Sequence, residues 1–137
     1  ISGNTVAIKG LKPKVRVWGV ETEGAATMKS AMDAGKIVNI KPTSMSRTLG
    51  SPFVAQDALT IAQEHLEGLL IVSDKQAIEA QQLILERTKV LPELAASCTL
   101  AAAEKIKDMF GPDDHLVLLM CGGNESVAGL VNYAKIT

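Results

Sequence analysis

Residues His115 to Leu130 read HLVLLMCGGNESVAGL, and this stretch decides the fold. Leu116 to Met120 is an unbroken apolar run, the pattern of a strand covered on both faces. The run ends at Cys121 and breaks at Gly122-Gly123. It resumes at Asn124-Glu125-Ser126, which reads as the first turn of a helix. Open α/β sheets place their ligand crevices at the carboxyl ends of strands, where glycine lets backbone and ligand approach closely. The plainer reading is a tight strand-to-helix turn, with Cys121 a small buried apolar residue.

Composition points the same way. The 137 residues are enough for one domain, or one large piece of a domain, with a core of its own. Apolar residues make up 47% of the chain but aromatics only 3%, so the core must be built from Ala, Leu, Val and Ile. A net charge of -1 gives no reason to expect nucleic acid or an anionic membrane as partner. Cys98 and Cys121 both lie in apolar runs, make no disulfide framework, and suit a reducing, cytoplasmic setting. No apolar run reaches the roughly 18 residues that would span a bilayer, and no signal peptide is visible. A chain that begins at Ile1 without Met is expected to be a segment of a longer one.

Outward from the opening stretch, strand and helix signals alternate. Ile1 to Gly10 reads as the end of a helix, broken at Lys12-Pro13. Val15 to Val20 (VRVWGV) reads as a strand closed by Glu21. Gly24 to Gly35 carries Ala25, Met28, Ala31 and Met32 at helical spacing, and Lys36 to Ile40 reads as a short strand. Lys41 to Pro52 (KPTSMSRTLGSP) is a long polar loop of the kind that often carries function. A helix follows over Phe53 to Glu67, with Ala58, Ile61 and Ala62 on one face, and then a strand over Leu69 to Val72. Ser73 and Gln76 have capping-box spacing, which starts a helix running to about Thr88. The last helix before the opening stretch is Leu94 to Phe110, whose first half is small and apolar on every side and hence buried. The alternation predicts an α/β fold in a single layered domain over residues 1–137, without repeats or linkers.

Four segments in this order resemble the fold type II pyridoxal-phosphate enzymes, closest to their threonine/serine dehydratase branch. They are VRVWGVETEGAA at Val15 to Ala26, LLIVSDKQAIEA at Leu69 to Ala80, KVLPELAASCTLAAA at Lys89 to Ala103, and LVLLMCGGN at Leu116 to Asn124. The resemblance implies an open, mostly parallel twisted sheet with helices on both faces, and pyridoxal 5'-phosphate as cofactor. The implied reaction is dehydration and deamination of a hydroxy amino acid, threonine or serine, to a 2-oxo acid and ammonia. Serine racemase and threonine synthase belong to the same family and stay open as alternatives. A non-catalytic α/β module binding another small molecule, such as a nucleotide, also stays open, although no intact G-x-G-x-x-G follows a strand here.

Site residues follow by the same resemblance. Cys121 stands where a Ser or Cys of the family faces the pyridine nitrogen, and Gly122, Gly123 and Asn124 form the turn beside the ring. Glu93 matches the acidic residue of the family's E-P-A-x-A pattern, with Leu94 in place of the proline. Ile1-Ser2-Gly3 matches the tail of the glycine-rich loop that cradles the cofactor phosphate. The one S-x-K triplet, Ser73-Asp74-Lys75, falls within the second matched segment and not where the family carries its lysine, so the cofactor-holding lysine is expected upstream, in the missing N-terminal part of the same enzyme. The isolated chain is then expected to expose an unpaired sheet edge and an apolar face. The complete enzyme is expected to be a homo-oligomer.

Glu21, Ala25 and Thr27 occupy positions where relatives can bind a divalent cation. Thr27 stands in place of an acidic ligand, which disfavours the metal, and an acid near a helix N-terminus is the commoner explanation of Glu21. Thr43, Ser44, Ser46 and Arg47 fall in the region that reads T-x-A-D-G in relatives and approaches the substrate. Arg47 is the candidate for binding a substrate carboxylate. His65 and His115 have no partner at ligand spacing, and Cys98 reads as core.

Overall fold

Two parallel strands, β1 (Trp18–Thr22) and β2 (Gly68–Val72), pair in register from Trp18 opposite Gly68 to Thr22 opposite Val72. The computed structural model describes residues 1–133 and 135 of the chain. Around the strands stand α1 (Ser2–Leu11), α2 (Thr27–Ala34), α3 (Gln56–His65), α4 (Asp74–Thr88), α5 (Leu94–Lys105) and α6 (Val127–Tyr133). Short 3-10 turns fall at Glu23–Ala25, Arg47–Leu49 and Lys107–Met109.

Strand period two sorts the side chains to two faces. Val20, Leu70 and Val72 turn toward α4 and α5, packing with Ala77, Ala80, Cys98, Ala101 and Ala102. Leu69 turns the other way, onto Met28, Ala31, Leu59 and Ala62 of α2 and α3. Helices therefore cover both faces of the small parallel sheet, as expected of an α/β fold. Alanines at the α4–α5 contact let the two helices approach closely, which explains a core almost free of aromatics. Trp18 is used at the sheet end, where its ring lies over Gly68; a Cβ on that glycine would fall 2.6 Å from the ring.

Local chemistry sets the helix ends. Gly35 adopts the left-handed conformation, and its N–H and that of Lys36 donate back to Met32 and Ala31 in a Schellman motif. At α4, Ser73 Oγ accepts from the Gln76 N–H at 3.1 Å, and the Gln76 carboxamide accepts from the Ser73 N–H at 2.9 Å. The capping box read from sequence is thus formed. Ser73→Ala is expected to lower stability by about 1 kcal/mol in urea denaturation; no change would mean that α4 is held by packing alone.

Three strand expectations are corrected. The first strand starts at Trp18 rather than Val15, because Val15 is still in a turn, its N–H bonded to the Lys12 carbonyl and its own carbonyl to Lys9 Nζ. Lys36 to Ile40 is not a strand: Lys36 is consumed in the α2 cap and Ile40 donates to the Pro52 carbonyl. Leu116 to Met120 is not a strand either. Both existing strands pair with each other, and among the described residues none forms a ladder with this run. Val117 is 85% and Leu119 53% exposed, so a run expected to be covered on both faces lies open. Apolar side chains also lie exposed at Val6 and Leu11 of α1. Helix α6 begins at Val127, later than the expected Asn124, because Ser126 is its cap and accepts from the Gly129 N–H at 2.9 Å.

Candidate active site

Glu93 is where separate parts of the chain meet. It stands at the N-cap of α5, yet its carboxylate does not cap that helix. Instead Oε1 accepts the Thr48 hydroxyl at 2.9 Å and Oε2 accepts the Asn124 N–H at 3.2 Å. Its own N–H donates to the Gly122 carbonyl at 3.0 Å. One residue thus joins the polar loop, the start of α5 and the glycine turn. Gly122 leaves room for the carboxylate in this position: a Cβ there would lie 2.5 Å from Glu93 Oε1. Leu94, standing in the family's proline position, is buried at the first position of α5.

Two hollows flank this junction. The larger, about 450 Å³, is lined by Arg47, Thr48, Glu93, Asn124, Glu125 and Tyr133, among others. The smaller, about 260 Å³, is lined by Leu91, Pro92, Met120, Cys121, Gly122 and Gly123 with Val90. The structure therefore brings Glu93, Asn124 and Arg47 together on one side, and Cys121 with Gly122 and Gly123 on the other. Cys121 is exposed. Tyr133 is pushed above the usual phenol range, first by partial burial and then by the Glu125 carboxylate.

Behind the junction, Gln81 is fully buried and donates its Nε2 to the Pro92 carbonyl at 2.8 Å and to Glu125 Oε2 at 3.4 Å. It ties the residue before Glu93 to the segment after the glycine turn. Sequence reading missed Gln81, Thr48, Glu125 and Tyr133. Gln81 carried one signal, a polar residue on an otherwise apolar face of α4. The others lie apart along the chain and give none.

The remaining candidates sort by contact. Thr43 and Ser44 donate their N–H groups to the Gly24 carbonyl, and the Ser44 hydroxyl donates to Asp74. Ser46 is buried, and its hydroxyl has no hydrogen-bond partner among the described residues. Cys98 is core; burial, opposed by the nearby Ser46 hydroxyl, leaves its thiol pushed up to about 11. Ile1, Ser2 and Gly3 enter the first turn of α1, with Ile1 as N-cap. His65 Nε2 lies 3.8 Å from Glu64 Oε2, and His115 is exposed.

Both carboxylate oxygens of Glu21 are taken by α2: they accept the Met28 N–H at 2.8 Å and the Lys29 N–H at 2.9 Å. Ala25 is buried beside it in a 3-10 turn, and Thr27 donates to the Ser51 carbonyl. No group of three or more His, Cys, Asp or Glu among the described residues is placed to hold a metal. Burial raises the pKa of Glu21, and the α2 N–H groups only partly offset it. The folded chain therefore holds this proton more readily than the unfolded one. Glu21's contribution to stability is full below the ordinary carboxylate range and is lost as pH rises through the raised value. The stability of the wild type relative to Glu21→Gln is expected to fall over that window in urea titrations at stepped pH. A rising difference would contradict the burial effect.

The sequence matches the family described as pyridoxal-phosphate dependent enzyme over residues 1–122. The human L-serine dehydratase/L-threonine deaminase is 35% identical over 126 residues, covering 85% of this chain and 38% of the relative. The Thermotoga maritima L-threonine ammonia-lyase is 27% identical over 129 residues, or 93% of this chain and 31% of the relative. The chain thus spans less than half the length of these relatives. Among solved structures, an L-serine ammonia-lyase from the fungus Rhizomucor miehei superposes with a TM-score of 0.89 at 29% identity, covering 97% of this chain and 45% of the other. The threonine deaminase of T.th. gives a TM-score of 0.83 at 30% identity, covering 91% of this chain and 45% of the other. No helix among the described residues is long and apolar enough to cross a membrane.

Proposed function

Because the chain belongs to the family of pyridoxal-phosphate dependent enzymes, we propose that it forms one part of the cofactor and substrate site of an ammonia-lyase. The substrate is a β-hydroxy amino acid, serine or threonine, and the products are a 2-oxo acid and ammonia. The observation that carries the reading is the Glu93 junction. Two segments far apart in sequence, Glu93-Leu94-Ala95-Ala96 and Cys121-Gly122-Gly123-Asn124, are bonded to each other through Gly122 and Asn124.

The residues present fit the cofactor. Gly122 and Gly123 leave the floor of the smaller hollow free of side chains, and Cys121 opens onto it. Cys121 would meet the pyridine nitrogen, with Gly122, Gly123 and Asn124 beside the ring, and the N–H groups at the start of α1 would take the phosphate. When bound, pyridoxal phosphate supplies an electron sink for the charge left when the substrate loses its α-proton.

The chain's own residues then do three things. Cys121 would offer the ring nitrogen a weak neutral thiol donor in place of a carboxylate. Glu93, restrained by Thr48 and Asn124, fixes the polar loop against the glycine turn. Arg47, which forms no ion pair among the described residues, would bind the substrate carboxylate from the larger hollow.

The test is steady-state release of 2-oxo acid and ammonia from L-serine and L-threonine by the full-length protein with pyridoxal phosphate. Stoichiometric formation of both products is expected. Racemisation without 2-oxo acid, or no reaction with either substrate, would overturn the reading.

A further inference from the structure

The polar loop that carries Arg47 and Thr48 is not free to drift. It is strapped to the carboxyl ends of both strands, and one acidic side chain holds two of its residues. Asp74, at the first position of α4 just beyond β2, is half-buried. Its Oδ1 accepts the Ser44 hydroxyl at 2.5 Å and its Oδ2 accepts the Met45 N–H at 2.9 Å. The Ser44 oxygen in turn accepts the Ser46 N–H at 3.0 Å and the hydroxyl of Thr22, the last residue of β1, at 2.7 Å. Ser44 is therefore a hub between the ends of β1 and β2. From the other side, the Gly24 carbonyl accepts the Thr43 and Ser44 N–H groups, and a Cβ on Gly24 would lie 2.5 Å from Ser44 N.

We propose that Asp74 is a positioning residue: its carboxylate clasps the loop Thr43 to Thr48 so that Arg47 and Thr48 are presented to the larger hollow. The clasp stands on geometry alone; its effect on substrate rests on the function proposed above. A carboxylate is the suitable group, since both of its oxygens accept and neither needs a proton. Asparagine has nearly the same shape but no charge and only one accepting oxygen, so Ser44 and Met45 can no longer both donate to it. The Arg47–Leu49 turn follows within one residue of Met45 and Ser46, so loosening those two N–H groups moves the turn that bears Arg47 and Thr48.

A purely structural role at the start of α4 would give a different result. An acid at the first helical position also favours the helix dipole, so Asp74→Asn could act by fraying α4. Ser73→Ala separates the two effects, because it removes the α4 cap without touching the loop. Backbone amide exchange over Thr43 to Thr48 in the full-length protein reads the clasp directly. KM and kcat for serine, measured separately, read its consequence.

Asp74→Asn should speed exchange of the loop amides by about tenfold or more, the expected result of losing a charge-assisted bond. It should raise KM for serine by roughly tenfold while kcat changes much less, because Arg47 acts in substrate binding. Thr22→Val, which removes one donor to Ser44, should give a smaller rise in exchange, and Ser73→Ala none. Unchanged loop exchange in Asp74→Asn, or an equal rise in Ser73→Ala, would overturn the clasp. Faster exchange with an unchanged KM would overturn its positioning role. A wild-type protein that turns over neither serine nor threonine would remove the proposed activity instead, and the exchange measurement would still decide the clasp.

Discussion

Gly122→Ala is expected to lower turnover and cofactor affinity of the full-length protein by about 10- to 100-fold, the equivalent of one or two charge-assisted hydrogen bonds. The added methyl would meet the Glu93 carboxylate, the end of a flexible side chain, so strain is not the main cost. Glu93 can swing away, and in doing so it releases the Thr48 hydroxyl and the Asn124 N–H. The substitution should therefore mimic the loss of Glu93 itself. Glu93→Ala alone should have a similar effect, and the double variant should be hardly worse than either, because residues acting through one contact are not additive. Additive losses would show that Gly122 and Glu93 serve the site separately.

Leu59→Ala carries the largest expected loss of stability, about 2–5 kcal/mol in urea denaturation, the usual cost of emptying a packed leucine site. Leu59 is 1% exposed and sits among Met28, Ala31 and Ala62, where α2 and α3 meet. The neighbouring Ile61 is only half-buried, so Ile61→Ala should cost clearly less. The reverse order would mean that α3 is rotated about its axis from the position described.

That comparison also marks how far the sequence could be read. Spacing on α3 picked out Ala58, Ile61 and Ala62 as the inner face, but Leu59 is the residue most deeply placed. Adjacent positions on a helix differ by about 100°, so a short run with four apolar residues leaves its phase open until a partner helix is present. Signals contained within a few residues were legible. The Ser73–Gln76 capping box, the glycine stop of α2 at Gly35 and the small-residue face of α5 all formed as read.

Strand signals fared differently because a strand needs a neighbour. Leu116 to Met120 has the composition of a buried strand, yet it lies exposed without a ladder among the described residues. Composition reported the environment this run is suited to and not its pairing. The candidate site was legible in part for a related reason. Glu93, Gly122 and Asn124 could be named from the ordered resemblance, but nothing along the chain said that one carboxylate joins them to Thr48. Nor did the capping box disclose that Asp74, inside it, also holds the polar loop. Such contacts are made across the fold, between residues that leave no common pattern in sequence.

The most direct test of the central claim, that the turn after Met120 is the ring end of a pyridoxal-phosphate site, is a crystal structure of the full-length protein with cofactor bound. The predicted result places Cys121 Sγ within hydrogen-bond reach of the pyridine nitrogen, with Gly122 and Gly123 against the ring and Glu93 still bonded to Asn124. A cofactor ring bound away from Cys121, with the turn buried in unrelated packing, would contradict the assignment and leave Cys121 a structural thiol.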